Sequence, residues 1–340
     1  MQDIRKRLID SQQFDASTQP AFPRNMLVEL TNACNHQCIF CTNRKMTRPT
    51  GQIDEGLLFR VLREAFDLGT REVGFYTTGE PFASPGLPRY VAEAKRLGYD
   101  YVYITTNGAL ASPERTKAVM DAGLDSIKFS INAGERESYA RIHGHDDFER
   151  VLRNLTFVSE YRKTLGRPFG IYVSCVLTRQ TQGERETLSA LAGPLADDVL
   201  FFNVGNQGGL MHEVNECLTV EGADLERKPP CPMLFNRFHI THEGYLSACC
   251  VDYQNYLVVA DLNTTPLRDA WHSATFEGLR QKHLDAALEG TLCYNCLVNE
   301  NRPVQPLTPQ YASPYEIGAF SAGMEIRRRL AGASPDCGVS

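Results

Sequence analysis

Cysteines carry most of the chemistry that this chain could perform. Cys34-Asn-His-Gln-Cys38-Ile-Phe-Cys41 sets three thiols at C-x3-C-x2-C spacing. A fully ligated [4Fe–4S] cluster takes four cysteines, so three of them leave one iron open. An open iron can coordinate a substrate or cofactor, which a closed structural site does not permit. The competing reading is a zinc site of three cysteines and His36, although His36 lies between two of the cysteines and is awkwardly placed for a fourth corner. A second group, Cys231, Cys249, Cys250, Cys293 and Cys296, ends in a C-x2-C pair that suits a four-cysteine zinc site as well as an iron–sulfur cluster. Eight of the 11 cysteines thus fall in two groups. In a reducing compartment such grouping indicates metal or redox chemistry rather than disulfides. Of the remaining three, Cys175 reads as a buried mid-strand residue, Cys217 stands apart from both groups, and Cys337 lies in the tail.

The elements around these cysteines alternate. Strand-like runs are expected at Met26–Thr31, Glu72–Thr77, Tyr101–Thr106, Ser126–Ile131, Gly170–Leu177 and Val199–Val204. Between them lie helix-like stretches at Glu55–Leu68, Leu87–Leu97, Glu114–Ala122, Phe148–Leu165 and Glu184–Leu195. In the first of these, Leu57, Leu58, Val61, Leu62 and Phe66 share one face, with Asp54 as N-cap and Gly69 closing the helix. Repeated strand–helix pairs imply a parallel α/β sheet, because parallel strands need crossover connections. Six units make an open, partial (βα)6 barrel, with catalytic groups expected at the strand C-termini. The first cysteine group directly follows the first strand.

After residue 205 the texture changes, with a turn-rich Gly205–Gly209 and a boundary at Pro229-Pro230. The organisation reads as an N-terminal extension (1–23), a barrel (24–210), a linker (211–230), a small α+β cysteine domain (231–304) and a C-terminal extension (305–340). The cysteine domain is expected to hold a hairpin around Glu243-Gly244 and a helix near Ala274–Ala287. A short Arg-rich helix is expected at about Tyr315–Leu330, before a frayed tail.

Composition narrows the class. The 340 residues carry 35 basic and 41 acidic side chains, a formal charge of −6, which offers no support for a nucleic-acid or anionic-membrane partner. Hydrophobic content of 42% with 22% charged residues excludes wholesale disorder. No apolar run is long enough for a membrane span, and MQDIRKRLIDSQQF lacks the apolar core of a secretory signal, so a cytoplasmic location is expected.

With these residues in place, the chain resembles the radical S-adenosylmethionine (SAM) enzymes. C-x3-C-x-aromatic-C, with Phe40 as the aromatic, looks like their signature at the end of a first barrel strand. Thr77-Thr78-Gly79-Glu80-Pro81 looks like the GGEP motif that receives the SAM amino group, with Thr78 replacing its first glycine. Ile104-Thr105-Thr106-Asn107-Gly108 ends the third strand as in many relatives. Ser130-Ile131-Asn132 and Thr178-Arg179 end the fourth and fifth strands, where relatives contact the SAM ribose or carboxylate. The resemblance spans roughly 24–205 and implies SAM contacts from Phe40, Thr78, Gly79, Glu80, Asn107, Ser130, Asn132 and Arg179. It implies a cluster on Cys34, Cys38 and Cys41 whose open iron chelates SAM, and reductive cleavage to a 5′-deoxyadenosyl radical. The protein's part would be to position cofactor and substrate and to exclude competing reactions. An external electron donor such as flavodoxin or ferredoxin is implied as well.

The second cysteine group extends the resemblance. Cys231, twelve residues, Gly244, four residues and Cys249 resemble the opening of the SPASM extension. The further cysteines of a full SPASM pattern do not follow Cys296, so the domain looks like the shorter twitch version with one auxiliary [4Fe–4S] cluster. Cys231, Cys249, Cys293 and Cys296 would be its ligands. Cys250 competes with Cys249, and the glycine spacing together with strand alternation favours Cys249.

Relatives of this type act on peptides, sugars, aminocyclitols and nucleosides. Only 33 residues precede Cys34, too few for the leader-recognition domain that peptide-modifying members often carry there. By analogy with twitch-bearing carbohydrate dehydrogenases, the expected reaction is oxidation of a secondary alcohol to a ketone, with the auxiliary cluster as electron acceptor, in natural-product or glycan biosynthesis such as that of an antibiotic. Carbohydrate epimerisation, with Cys217 or Cys250 returning the hydrogen atom, is the close rival. Peptide maturation comes third, and a non-catalytic iron–sulfur or zinc protein is the reading from a different class. Asn203, Asn206, Gln207 and His212 are candidates for the barrel mouth, whereas Arg141, His143 and His145 read as a solvated face.

Overall fold

The computed structural model describes residues 13–209, 211, 217–223 and 227–313. The expected helix at 315–330, His212 and Cys337 lie outside the described residues. Six parallel strands form the first part of the sheet: β1 (Asn25–Val28), β2 (Glu72–Gly74), β3 (Tyr101–Thr106), β4 (Ser126–Ser130), β5 (Gly170–Leu177) and β6 (Asp198–Asn203). Their spatial order is sequential, from β6 at one edge to β1. The connecting helices are α1 (Glu55–Asp67), α2 (Leu87–Leu97), α3 (Pro113–Asp121), α4 (Arg136–His143), α5 (Phe148–Tyr161) and α6 (Arg185–Ala192).

Alternation along the strands sorts the side chains. Met26 and Val28 of β1, Val102 and Ile104 of β3, and Ile127 and Phe129 of β4 are buried in the main core with the helices. Helix α1 illustrates how each helix covers them. The Asp54 carboxylate caps it by accepting from the Leu57 N–H at 2.8 Å, and Leu57, Leu58, Val61, Leu62 and Ala65 are buried. Each buried Leu or Val contributes about 1.5–3 kcal/mol. Gly98 ends α2 at φ +103°, a conformation that costs a residue with a Cβ.

The cysteine region is joined to the same sheet. Strand β7 (Arg237–Ile240) lies parallel to β1, from Asn25↔Arg237 to Val28↔Ile240. Strands β8 (Tyr245–Ser247) and β9 (Val258–Asp261) follow antiparallel, giving nine strands in all. The hairpin expected at Glu243-Gly244 is the β7–β8 turn. Gly244 has φ +90°, and a Cβ there would meet Leu57 Cδ2 at 2.5 Å. Helices α7 (Met233–Asn236), α8 (Leu267–Trp271), α9 (Ala274–Leu284) and α10 (Leu292–Val298) complete the region. The guanidinium of the fully buried Arg280 stacks on Trp271 and Phe276 at 4.0 and 3.8 Å, and donates to the carbonyls of Leu234, Trp271 and Thr18.

The architecture is therefore the expected partial barrel followed by a small domain with antiparallel strands. Strands β3 and β5 have the expected bounds, while the helix expected to reach Leu165 gives way to a 3-10 turn after Tyr161. Helix α4 is the helix–loop expected after the fourth strand. It removes His143 from the solvated face expected of it, because the imidazole is 0% exposed against the first cysteine loop. Among the described residues no helix is long and apolar enough to cross a membrane.

Candidate active site

The loop after β1 is held at the mouth of the barrel by α4. Backbone N–H groups of Gln37 and Ile39 donate to the carbonyls of His143 and Ile142 at 3.0 and 2.9 Å. Cys34, Cys38 and Cys41 are brought together there. Burial, the nearby Glu80 carboxylate and the Cys41 thiol push the Cys34 thiol up to about 12. Sulfur in such a site loses its proton only to a metal cation, which fits an iron–sulfur cluster. The sulfurs also meet donors: the Asn107 amide is 3.8 Å from Cys34 Sγ, and the Asn43 N–H is 3.5 Å from Cys41 Sγ.

His36 lies with Cys38 and His143, their ligand atoms all within 4.8 Å of one another. Its Nε2 lies 3.2 Å from Asp147 and its Nδ1 lies 3.1 Å from His143 Nδ1. The backbone N–H of Asn132 donates to His143 Nε2 at 3.3 Å, which leaves the proton of neutral His143 on Nδ1. That Nδ1–H faces Cys38 Sγ at 3.6 Å as well as His36. Burial holds both imidazoles below the usual histidine range, in keeping with neutral rings. Asn132, expected at the SAM ribose, thereby connects β4 to Cys38, and its Oδ1 accepts from the Val176 N–H at 2.9 Å.

The TTGEP and TNG segments interlock beside this loop. Glu80 accepts from Thr106 Oγ1 at 2.6 Å, the Asn107 N–H at 2.8 Å and the Phe82 N–H at 3.1 Å. Its carboxyl is raised to about 7 by burial, against the pull of those bonds. Glu80 thus ties the end of β2 to the end of β3. A Cβ on Gly79 would stand 2.1 Å from the Thr31 carbonyl oxygen, so only glycine lets the two loops approach this closely. Asn43 Nδ2 donates to the Asn32 and Thr78 carbonyls, both at 2.7 Å. Thr78 itself turns its hydroxyl to Glu29. Glu29 also takes both oxygens to Arg48 and one to His242 Nδ1, which links the SAM-type motif to the residues after β7.

Phe40 is buried with Ile39, Ile142, Val204, Met211, Leu218 and Cys217 in a separate apolar cluster. Arg179 donates from Nε to the Thr219 carbonyl at 2.7 Å. Ser130 is half-buried at the end of β4. Asn206 braces α10, reaching the carbonyls of Asn295 and Cys296 at 3.2 Å, and the Gln207 Oε1 accepts from Tyr253 OH at 3.3 Å.

In the auxiliary region the thiols of Cys231, Cys249, Cys250, Cys293 and Cys296 lie within one another's electrostatic reach. Cys293 and Cys296 sit one helical turn apart on α10, which Thr291 caps at the Tyr294 N–H. Burial raises the thiols of Cys231, Cys249, Cys293 and Cys296, Cys231 to about 11, and at Cys249 the hydrogen bond with Cys250 raises the thiol further still than burial does. Cys250 adds to the rise of Cys296. Strand β8 ends at Ser247, so both Cys249 and Cys250 lie in the turn beyond it and strand alternation does not separate them. Cys250 is the one that feels His239 and Arg237, and its Sγ is 3.9 Å from Met233 Sδ.

The interior of the barrel is polar. Tyr103 OH bonds to Asn25 at 2.9 Å, Tyr101 OH to Ser126 Oγ at 2.6 Å, and the Tyr76 and Tyr103 rings meet edge-on at 5.8 Å. Lys128 Nζ stands 6.0 Å from the centre of the Tyr76 ring. These residues, with Arg237 and His239 of β7, were not singled out from the sequence. The signal was present in the strand pattern: in Ser126-Ile-Lys-Phe-Ser130, Lys128 falls on the face opposite Ile127 and Phe129.

Comparison with known proteins agrees with this arrangement. The family model for the Radical SAM superfamily matches residues 28–191, and the SPASM iron-sulfur cluster-binding domain matches 231–297. GTP 3',8-cyclase of Chlorobaculum tepidum is 34% identical over 129 residues, 38% of this chain and 38% of that protein. The curated relatives are thus matched over less than half of their length. Among solved structures, Streptococcus suis SuiB bound to precursor peptide SuiA aligns with a TM-score of 0.64 at 16% identity, covering 90% of this chain and 79% of that one. BtrN in complex with AdoMet and 2-DOIA aligns with a TM-score of 0.56 at 17% identity, covering 85% and 96%. The cofactors that go with these domains are SAM, its [4Fe–4S] cluster and an auxiliary SPASM cluster. The chain belongs to the radical SAM superfamily and carries a C-terminal SPASM iron–sulfur cluster-binding domain.

Proposed function

We propose that this protein oxidises a secondary alcohol of a sugar, aminocyclitol or nucleoside to a ketone. The observation that carries the reading is the electrostatic nearness of Cys231, Cys249, Cys293 and Cys296 to one another. Four protein thiols fill the corners of a cluster and leave no position for substrate, which suits electron transfer rather than ligand binding. When bound, SAM and its cluster supply hydrogen-atom abstraction from carbon, and the auxiliary cluster supplies an acceptor for the second electron. The chain's own residues position these groups. Cys34, Cys38 and Cys41 would hold the first cluster, the TTGEP backbone would lie along SAM, and Tyr253 connects the auxiliary region to Cys41. BtrN, solved with AdoMet and 2-DOIA, shares most of this chain's length and supports a small-molecule substrate.

Epimerisation is the second reading, favoured by the position of Cys250 beside His239 and Arg237 at the barrel interior. Anaerobically reconstituted protein, dithionite, SAM and a panel of polyols and nucleosides test both. Oxidation gives one 5′-deoxyadenosine per product and a mass lower by two hydrogens. An unchanged mass with deuterium taken up from solvent means epimerisation. A cyclised or cross-linked peptide product would overturn both readings.

A further inference from the structure

The barrel interior holds two cationic side chains whose shared acidic neighbour is the Cys250 thiol. Lys128 projects from the middle of β4 and Arg237 from the start of β7; Lys128 feels Arg237 and Cys250, while Arg237 feels Tyr103, Tyr76 and the same Cys250. No carboxylate stands within ion-pair distance of either among the described residues. Glu72, the acid in Arg237's field, is taken up by Arg24 at 3.6 Å and Asn25 at 3.2 Å. Arg237 Nε is buried with no hydrogen-bond partner, and His239, two positions along the same strand and 2% exposed, faces the Cys250 thiol. Buried donors left unsatisfied are costly, and charged ones more so. A fold retains such a set where a ligand completes it.

We infer that Lys128, Arg237 and His239 form an anion-binding subsite inside the barrel that fixes a carboxylate or phosphate group of the substrate. This deepens the proposed function and rests on it for the rest of the substrate. The walls fit the assignment. Tyr76, Tyr101 and Tyr103 form a continuous aromatic surface, with Tyr101 and Tyr103 centroids 5.3 Å apart, suited to one face of a sugar or base. Gly74 leaves the room, because a Cβ there would meet Tyr103 Cζ at 2.8 Å and Leu27 Cδ2 at 2.5 Å. Arg237 supplies a planar fork and Lys128 a point charge, the pair of donors that orients an oxyanion. Burial and the Arg237 charge bring the Lys128 ammonium down to about 8, a penalty that a bound anion would lift.

Binding calorimetry on the reconstituted holoenzyme, without reductant, tests the inference. The probes are glucose 6-phosphate, glucuronate and neutral glucose, against wild type, Lys128→Gln, Arg237→Gln and the exposed control Lys163→Gln. The expected result is binding of at least one charged probe, weakened tenfold or more in K128Q and R237Q and unchanged in K163Q, with glucose silent. The two charged probes separate a phosphate site from a carboxylate site. Should R237Q fail to fold, K128Q alone decides. Equal binding of wild type and K128Q, or no binding of either anion by wild type, overturns the site. No turnover enters this measurement, so a protein that binds anions yet yields no ketone would sink the oxidation reading and leave the subsite standing.

Discussion

The Tyr253 hydroxyl lies 3.4 Å from Cys41 Sγ, joining the turn after Cys249 and Cys250 to the first cysteine loop. With iron bound, the Cys41 sulfur can only accept, so the phenol's one proton would turn to it from Gln207. Hydrogen bonds to cluster sulfurs favour the reduced, more negative state and raise its potential. Tyr253→Phe should therefore lower the midpoint of the SAM cluster by roughly 40 mV, the one-electron equivalent of about 1 kcal/mol. A redox titration followed by electron paramagnetic resonance measures it. An unchanged midpoint would mean that the phenol spends its proton on Gln207 instead.

The two cysteine groups should load independently. Wild-type protein is expected to hold about eight irons after anaerobic reconstitution, and a Cys231→Ser/Cys249→Ser double variant about four. A Cys34→Ala/Cys38→Ala variant should also retain about four, now all in the auxiliary site. Zinc in place of iron in the auxiliary site would remove the electron acceptor on which the oxidation reading depends.

Glu80 should give the protein a pH signature. Its folded value of about 7 stands above the ordinary 4.5, so the native state binds more protons between those values than the unfolded chain. Stability is then highest at the acid end of that window, falls as pH rises towards 7, and levels off above it. The total is on the order of 3–3.5 kcal/mol. Glu80→Gln should abolish the slope while costing about 1–3 kcal/mol at acid pH, since an amide cannot accept all three bonds. Thermal midpoints between pH 5.5 and 8 are the check, and parallel slopes in the two proteins would refute the assignment.

Lys128 runs in the opposite sense. Its folded value of about 8 lies below the ordinary 10.5, so unliganded stability should rise as pH climbs from 8 to 10.5 and carry the full penalty below 8. Replacing Lys128 by methionine should raise stability at pH 7 by about 1–3 kcal/mol while weakening ligand binding. Calorimetric melting of the substrate-free protein reads this directly. A lower melting point for K128M would show that the ammonium already has a partner.

Residues with local signatures were readable before the fold was known. Tyr101–Thr106 and Gly170–Leu177 announce themselves through alternation and through an unbroken apolar run, and the cysteine spacings point to both matched domains. What escaped depends on partners distant in the chain. Nothing near His143 reveals that Asn132 and Cys38 will sit on either side of its ring. Asn206 and Gln207 look like loop residues until α10 and Tyr253 arrive from about 50 to 90 positions further on. The Lys128–Arg237 pair likewise exists only because β7 returns to the barrel, although the inward set of each strand was visible in its alternation.

That return has a bearing on how the protein is made. The edge of β1 stays open from the synthesis of Val28 until Ile240 has emerged to cover it. Throughout translation of the intervening segment the nascent sheet offers unpaired N–H and C=O groups beside an apolar face, the condition under which strands join wrong neighbours. Fragments that stop before residue 237 should accordingly collect in inclusion bodies. The cysteine-rich segment thus acts as a seal on the barrel as well as a carrier of iron, and it can be separated from the barrel only at the expense of both.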